Sequence, residues 1–289
     1  MTAILRLGFA VIVFAASLLT VVPPPAYNFW KASIAVTELG HWLAFAALLT
    51  LLPWWWRNWV GRLAALLGVA SIVLALSPAA RATRVASTLP SRFEAAFGNT
   101  QPVALPDAPA RKKPFSFGAL FRKPPSPTVR ILTIPFVERD GKALQMDLYK
   151  SVRVTVPTPI VVMIYGGSWR SGTKTALPDL NRYLAARGYA VAAVSYRFAP
   201  EHRFPSQTED VNAAIDFLEA NADEYGLDTT RLALIGRSAG GQLALLSAYT
   251  RNDPAIKGVA AFYPPTDQKW GWENPADKRV YNSFVTLRD

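Results

Sequence analysis

The segment Gly236-Arg237-Ser238-Ala239-Gly240-Gly241 follows an apolar run, Leu232-Ala233-Leu234-Ile235, and opens a helix-like stretch from Gln242 to Tyr249. Strand, Gly-x-Ser-x-Gly and helix in that order form the context of a nucleophile elbow, a turn tight enough to push one side chain out at the strand end. Side chains at 236 and 240 would clash in so crowded a turn, and glycine at both leaves Ser238 Oγ projecting. A serine hydroxyl alone is a weak nucleophile; it needs a histidine to take its proton and a carboxylate to orient that histidine. The chain has two histidines, His41 and His202, and neither follows Ser238. The sequence therefore displays half of a serine-based site.

The surrounding pattern predicts alternating strands and helices. Ile131–Glu138 and Ala143–Tyr149 read as a hairpin turning at Asp140-Gly141. Pro159–Tyr165 and Ala190–Tyr196 are apolar runs of the kind found in strands covered on both faces. Leu177, Leu180 and Leu184 recur at helical spacing before Gly188, and Ser206-x-x-Glu209 predicts a capping box at the head of a helix bearing Val211, Ala214, Ile215 and Leu218. Ile256–Tyr263 is one more strand. This alternation predicts an α/β fold with a mostly parallel sheet flanked by helices, its site beyond the carboxyl ends of the strands, where Gly166 and Ser238 both fall.

Tyr165-Gly166-Gly167-Ser168-Trp169 leaves its strand directly, and a glycine-rich strand exit exposes backbone N–H groups where an oxyanion could be held. With the elbow and the segment Tyr196-Arg197-Phe198-Ala199-Pro200-Glu201-His202-Arg203-Phe204-Pro205, this carries a resemblance. Residues from about 130 to 270 resemble the α/β-hydrolase superfamily, in the esterase/lipase branch similar to hormone-sensitive lipase, whose members carry three such motifs in this order. The resemblance implies Ser238 as nucleophile, with Gly166, Gly167 and the Ala239 N–H as oxyanion donors, and no cofactor or metal. The layout is also similar to membrane-anchored prenylcysteine methylesterases of the same superfamily. Two departures stand out. Tyr165 occupies a place where many members have histidine. The family's triad acid and histidine come from loops far downstream, whereas this sequence stops at Asp289, about fifty residues past Ser238; it is expected to be a truncated member lacking its C-terminal strands and both triad partners.

Other polar residues have plainer readings. His202 lies inside a segment that family members carry alongside a separate catalytic histidine, and is expected to be structural. Asp267 follows the strand next to the elbow, too early for the triad acid. Asp210 is expected to complement the dipole of a helix start. Glu38 and His41, near the start of an apolar segment, are an intramembrane-site hypothesis set against simple hydration at the interface. Trp270, Trp272, Tyr281 and Phe284 would be acyl-pocket or lid residues in a complete enzyme.

The first 80 residues differ in kind. Leu7–Trp30, Leu39–Trp56 and Leu63–Ala80 carry no Asp, Glu, Lys or Arg, and each approaches the ~20 residues that cross a bilayer core. Three transmembrane helices are therefore expected over 1–80, with Trp54, Trp55, Trp56 and Trp59 as an interfacial belt. Residues 81–129 are expected to be a basic, Pro-rich juxtamembrane linker, its first part (81–100) mixed apolar and basic as a surface-lying segment would be; the hydrolase domain takes 130–289. Of the +11 net charge, residues 1–130 hold +10 from 13 Lys/Arg against three acids, and 131–289 hold +1 from 18 against 17. That asymmetry fits anionic lipid headgroups and not nucleic acid, for which a folded basic surface would be needed. Arg57 and Arg62 in a short loop place that loop in the cytoplasm and the hydrolase domain on the extracytoplasmic side. Zero cysteines exclude disulfides and a thiolate nucleophile.

The expectation is a multi-pass, membrane-anchored serine hydrolase that cleaves small-molecule or lipid carboxylic esters through an acyl-enzyme. A catalytically inactive hydrolase-like membrane protein, and a serine peptidase or amidase of the same fold, are the alternatives.

Overall fold

Ile160–Ile164 and Ala190–Val194 contain no polar residue, and such runs suit a sheet interior packed from both sides. In the computed structural model, which describes residues 3–24, 26–52, 57–98, 118, 121, 128–154 and 156–273, they lie side by side as parallel central strands. The strands are β1 (Val129–Arg139), β2 (Lys142–Ser151), β3 (Thr158–Ile164), β4 (Ala190–Val194), β5 (Leu227–Arg237) and β6 (Ile256–Phe262), in the spatial order β1-β2-β4-β3-β5-β6. β1/β2 and β2/β4 pair antiparallel; β4/β3, β3/β5 and β5/β6 pair parallel. The expected α/β sheet is thus present, as a mixed sheet whose parallel half carries the motifs. Asp140 and Gly141 turn the β1–β2 hairpin with φ of 51° and 71°, the two positive values that a two-residue type I′ turn requires.

Helices cover both faces. α5 (Pro178–Ala185) packs over Tyr149, Val161, Met163 and Val191. On the other face, α6 (Ser206–Ala220) and α8 (Ala239–Arg251) bury Val211, Ile215, Leu218 and Leu243 against Leu148, Ile160, Val162 and Leu234. Short α7 (Ala222–Tyr225) and α9 (Gln268–Glu273) complete the described helices of this unit. The capping box is not formed: Ser206 is already the first helical residue, Pro205 precedes it without a side-chain cap, and Glu209 turns to Arg197 instead. Among the described residues β6 is hydrogen-bonded on its β5 side only, and Phe262 and Tyr263 beside it are 49% and 69% exposed.

A separate helical unit precedes the sheet. It corrects the expectation of three spans. The first apolar segment breaks: α1 (Ala3–Leu18) ends ahead of Pro23-Pro24, and α2 (Tyr27–Glu38) follows them, because proline lacks the N–H that would continue the helix. The second is short: α3 (Gly40–Ala47, prolonged by a 3-10 turn Leu48–Leu51) starts at a 79° bend from α2 beside Gly40 and stops at Leu51, ahead of Pro53 in the sequence. Among the described residues only the third makes one long apolar helix, α4 (Trp59–Phe97, 39 residues). α4 also runs on past Ala80, so 81–97 is helix and not linker. Most of 99–127, Trp54–Trp56, Tyr281, Phe284 and the side chain of Trp272 lie outside the described residues.

α4 contains Pro78 and Pro90. Pro78 leaves the carbonyl of Leu74 without its helical donor, and Thr20 Oγ1 lies 3.1 Å from it, its one hydrogen shared with Ser17 O at 2.8 Å. Small residues line the helix contacts. A Cβ on Gly40 would stand 2.2 Å from Ala75 O, and one on Gly68 would stand 1.7 Å from Thr50 Oγ1. Ala10, Ala47 and Ala64 are fully buried, whereas Ile12, Phe45, Leu66 and Val73 are exposed.

Candidate active site

The two glycine motifs meet because β3 and β5 end level. Ile164 is the register partner of Gly236, so Tyr165-Gly166 and Arg237-Ser238 emerge side by side at the carboxyl edge of the sheet. Ser238 has φ 50° and ψ −123°, a conformation costly for any residue with a Cβ and found where the surroundings enforce it. The enforcement is visible. A Cβ on Gly236 would lie 2.1 Å from Gly240 O, and one on Gly240 would lie 2.3 Å from both Ile164 O and Tyr165 O. The Ser238 N–H donates to Phe262 O at 2.9 Å, and the Gln242 N–H donates to Ser238 O at 3.1 Å, closing the elbow into α8.

Gly166 rests on the elbow itself: its Cβ would be 2.6 Å from Arg237 O and 3.1 Å from Ser238 Cβ. Gly167 has φ 143°, and a Cβ there would meet Ser171 O at 1.9 Å. The carbonyl of Gly167 accepts the N–H groups of Arg170 and Ser171. Ala239 opens α8, and the first N–H groups of a helix have no intrahelical acceptor. Gly166 thus lies against Ser238, with Gly167 next to it in the chain and Ala239 at the head of α8.

The surroundings hold this loop in place. Trp169 Nε1 donates to Gln242 Oε1 at 3.1 Å, tying the loop to the elbow helix, and Trp169 O accepts the Ala199 N–H at 2.9 Å. Tyr165 stacks on Tyr196 with centroids 4.5 Å apart, and Tyr196 Oη donates to Tyr165 O at 3.0 Å. Burial pushes the Tyr165 phenol up to about 12; the charge of Asp210 acts the same way, and the hydrogen bond to Tyr196 opposes it. Burial, then Tyr165, also push Tyr196 upward.

The remaining candidates fall elsewhere. His202 directs Nδ1 at Asp140 (3.6 Å) and Nε2 at Glu201 (4.0 Å), with its carbonyl held by Gln207; it braces the hairpin. Asp267 accepts the Trp270 N–H at 2.7 Å at the head of α9. His41 packs against the rings of Trp42 and Phe121, which also touch each other. Asp210 departs from its expected role: it is fully buried, past the first turn of α6, and binds Arg197 through two side-chain nitrogens and the backbone N–H, with Arg139 beyond. That anchor, the Tyr165–Tyr196 stack and the Trp169–Gln242 bond were not read from the sequence. An arginine directly after a buried strand was the available signal for the first.

Residues 146–272 match the BD-FAE family model. Esterase LipC of Mycobacterium tuberculosis is 37% identical over 118 residues, 40% of this chain and 29% of LipC. The carboxylesterase NlhH of the same organism is 35% identical over 112 residues, 37% of this chain and 35% of NlhH. Over these residues the sheet unit is similar to esterases of the α/β-hydrolase type. A probable isoprenylcysteine alpha-carbonyl methylesterase of Arabidopsis thaliana, ICMEL1, is 33% identical over 115 residues, 38% of this chain and 24% of that protein. The matched part thus spans about a quarter to a third of these relatives' length, and it is the part that carries both glycine motifs.

Proposed function

We propose that this chain carries the nucleophile of a membrane-anchored carboxylic ester hydrolase. Ser238 Oγ attacks the ester carbonyl, and the N–H groups of Gly166, Gly167 and Ala239 receive the negative charge that forms on its oxygen. The C–O bond to the alcohol then breaks, the Oγ proton passing by way of an imidazole base to the departing alcohol. Water cleaves the acyl-serine in turn and releases a carboxylic acid. The observation that carries this assignment is Ser238 at φ 50° with Gly166 against its Cβ. The base is not His202, whose ring nitrogens face Asp140 and Glu201.

Residues 1–289 alone therefore turn over short acyl esters roughly 10⁴–10⁶ times more slowly than an enzyme with its triad in place. The test is incubation with p-nitrophenyl acetate, with and without added imidazole, beside Ser238→Ala and His202→Ala. Slow, imidazole-stimulated release of nitrophenol and an acetyl group on the Ser238 peptide, both lost in Ser238→Ala and kept in His202→Ala, support the assignment. Release indifferent to Ser238→Ala overturns it. An absolute dependence on His202 would move the base to that residue.

Membrane attachment is assigned to α4. Its large side chains face outward and its small ones inward against α1 and α3, the inverse of a water-soluble bundle and the packing expected where lipid replaces water. With Arg57 and Arg62 cytoplasmic, a reporter fused after Pro102 is active only on the extracytoplasmic side; cytoplasmic activity there reverses the orientation.

A further inference from the structure

We infer that residues 81–97, the second half of α4, form a lipid-binding arm that lies in the headgroup layer of an anionic membrane with one defined face down. The inference rests on α4 being a membrane span. At 1.5 Å per residue, the 39 residues of α4 extend for about 58 Å. A hydrocarbon core of ~30 Å takes up about 20 of them, and the charge-free Leu63–Ala80 supplies nearly that number. The rest emerges.

The emerging half is sharply two-sided. At about 100° per residue, Val85, Leu89, Phe93 and Phe97 fall with Ala82, Ala86 and Ala96 inside a sector of roughly 120°. The four large side chains are 58%, 41%, 58% and 59% exposed, and no described residue of their own helical unit covers them. Ser87, Ser91 and Arg84 occupy the opposite side, and Arg81 and Arg92 flank the apolar sector. A protruding stalk would hold this face in water.

Charge decides between the possible occupants. The arm carries Arg81, Arg84 and Arg92 against one acid, Glu94. A parallel pair of arms from two copies would bring these arginines together, whereas anionic headgroups neutralise them, the long stems spreading over the membrane surface. Continuity favours the same occupant, since Arg81 stands three residues past Pro78, at the level where the span leaves the hydrocarbon. Pro78 removes one helical hydrogen bond at that level, and Thr20 engages the freed Leu74 carbonyl while its own carbonyl accepts Arg81 Nη2 at 3.4 Å. The span is tied to α1 at the point where the arm begins.

The absence of cysteine allows single spin labels in the full chain, reconstituted in phosphatidylcholine vesicles with or without phosphatidylserine. Labels at Ala82→Cys and Ala86→Cys report the apolar face, Ser87→Cys and Ser91→Cys the polar face, and Val69→Cys and Val73→Cys the span. In phosphatidylserine vesicles, 82 and 86 are expected to be open to oxygen and shielded from a water-soluble nickel chelate, and 87 and 91 the reverse. Changing Arg81, Arg84 and Arg92 to Gln lowers the immersed fraction by roughly fivefold per arginine at low salt. Equal nickel accessibility on both faces, with 69 and 73 in lipid, overturns the arm and leaves the span standing. Shielding of 82 and 86 from both reagents with dipolar broadening between copies also overturns it, in favour of a second copy. Nickel accessibility at 69 and 73 sinks the membrane assignment itself.

Discussion

Asp210 holds Arg197 by three separate donors: the backbone N–H at 2.9 Å, Nε at 2.8 Å and Nη2 at 2.9 Å. The carboxylate is fully buried and the guanidinium nearly so, so the pair fixes the chain just after β4 to helix α6. Loss of one partner leaves the other charged and buried. Asp210→Asn is expected to cost about 3–5 kcal/mol, read as a fall in the urea midpoint of the detergent-solubilised chain. Arg197→Lys should cost a large part of the same, because an ammonium cannot reproduce the two-nitrogen grip.

The crowding at the elbow gives a sharper contrast between glycines. Gly240→Ala would press a methyl to 2.3 Å from two backbone oxygens that cannot swing aside, and is expected to destabilise the sheet unit by about 3 kcal/mol or more. Gly258→Ala has nothing within 4 Å of the added carbon and should change stability by no more than about 0.5 kcal/mol. Denaturant melts of the two variants side by side check both figures; equal losses would contradict the close packing around 240.

Alkaline stability should depend on the Tyr165–Tyr196 stack. The Tyr165 phenol has its folded-state value raised from 10.0 to about 12, chiefly by burial. A group raised on folding contributes stability that is complete below its unfolded value and is lost as pH climbs through the folded one. The sheet unit is therefore expected to weaken between about pH 10 and pH 12, and Tyr165→Phe should flatten that part of the curve. Absorbance of phenolate against pH, followed with far-ultraviolet dichroism, tests this: ionisation of these two tyrosines near pH 10 with the fold intact would contradict the burial argument.

Thr20 and Pro78 should behave as a coupled pair. Thr20→Val removes the donor that serves Leu74 O, at an expected cost near 1 kcal/mol. Pro78→Ala restores a helical N–H to the same carbonyl, so Thr20→Val in that background should cost much less. A double-mutant cycle on unfolding in detergent measures the coupling; strict additivity would mean that Thr20 does not substitute for the missing helical bond.

The α/β half was legible because its signals are local. Apolar runs such as 160–164 and 190–194 state their burial directly, Asp140-Gly141 states its turn, and the Gly236–Gly241 motif states its strand and helix. What escaped the sequence is contact between distant segments. Asp210 reads as a helix-start acid until Arg197, thirteen positions earlier, is found folded onto it. In the helical half, hydropathy identified apolar composition correctly but not continuity: three equal-looking segments became one long helix and several short ones, because Pro23-Pro24 and the Gly40 bend interrupt a run that a composition window averages over. The arginines at 81 and 84 likewise suggested a boundary, although nothing in them stops a helix.

The contact of Gly240 with the carbonyls of Ile164 and Tyr165 has a dynamic consequence. The turn bearing Ser238 and the turn bearing Gly166 come from different strands, and independent motion of the two would blur the gap between Ser238 Oγ and the backbone of Gly166. With no side chain between them at 240, backbone abuts backbone, and neither turn can shift inward without carrying the other. Thermal breathing of the outer helices then displaces both together and leaves their separation unchanged, so the alignment outlasts fluctuations of the surface that surrounds it.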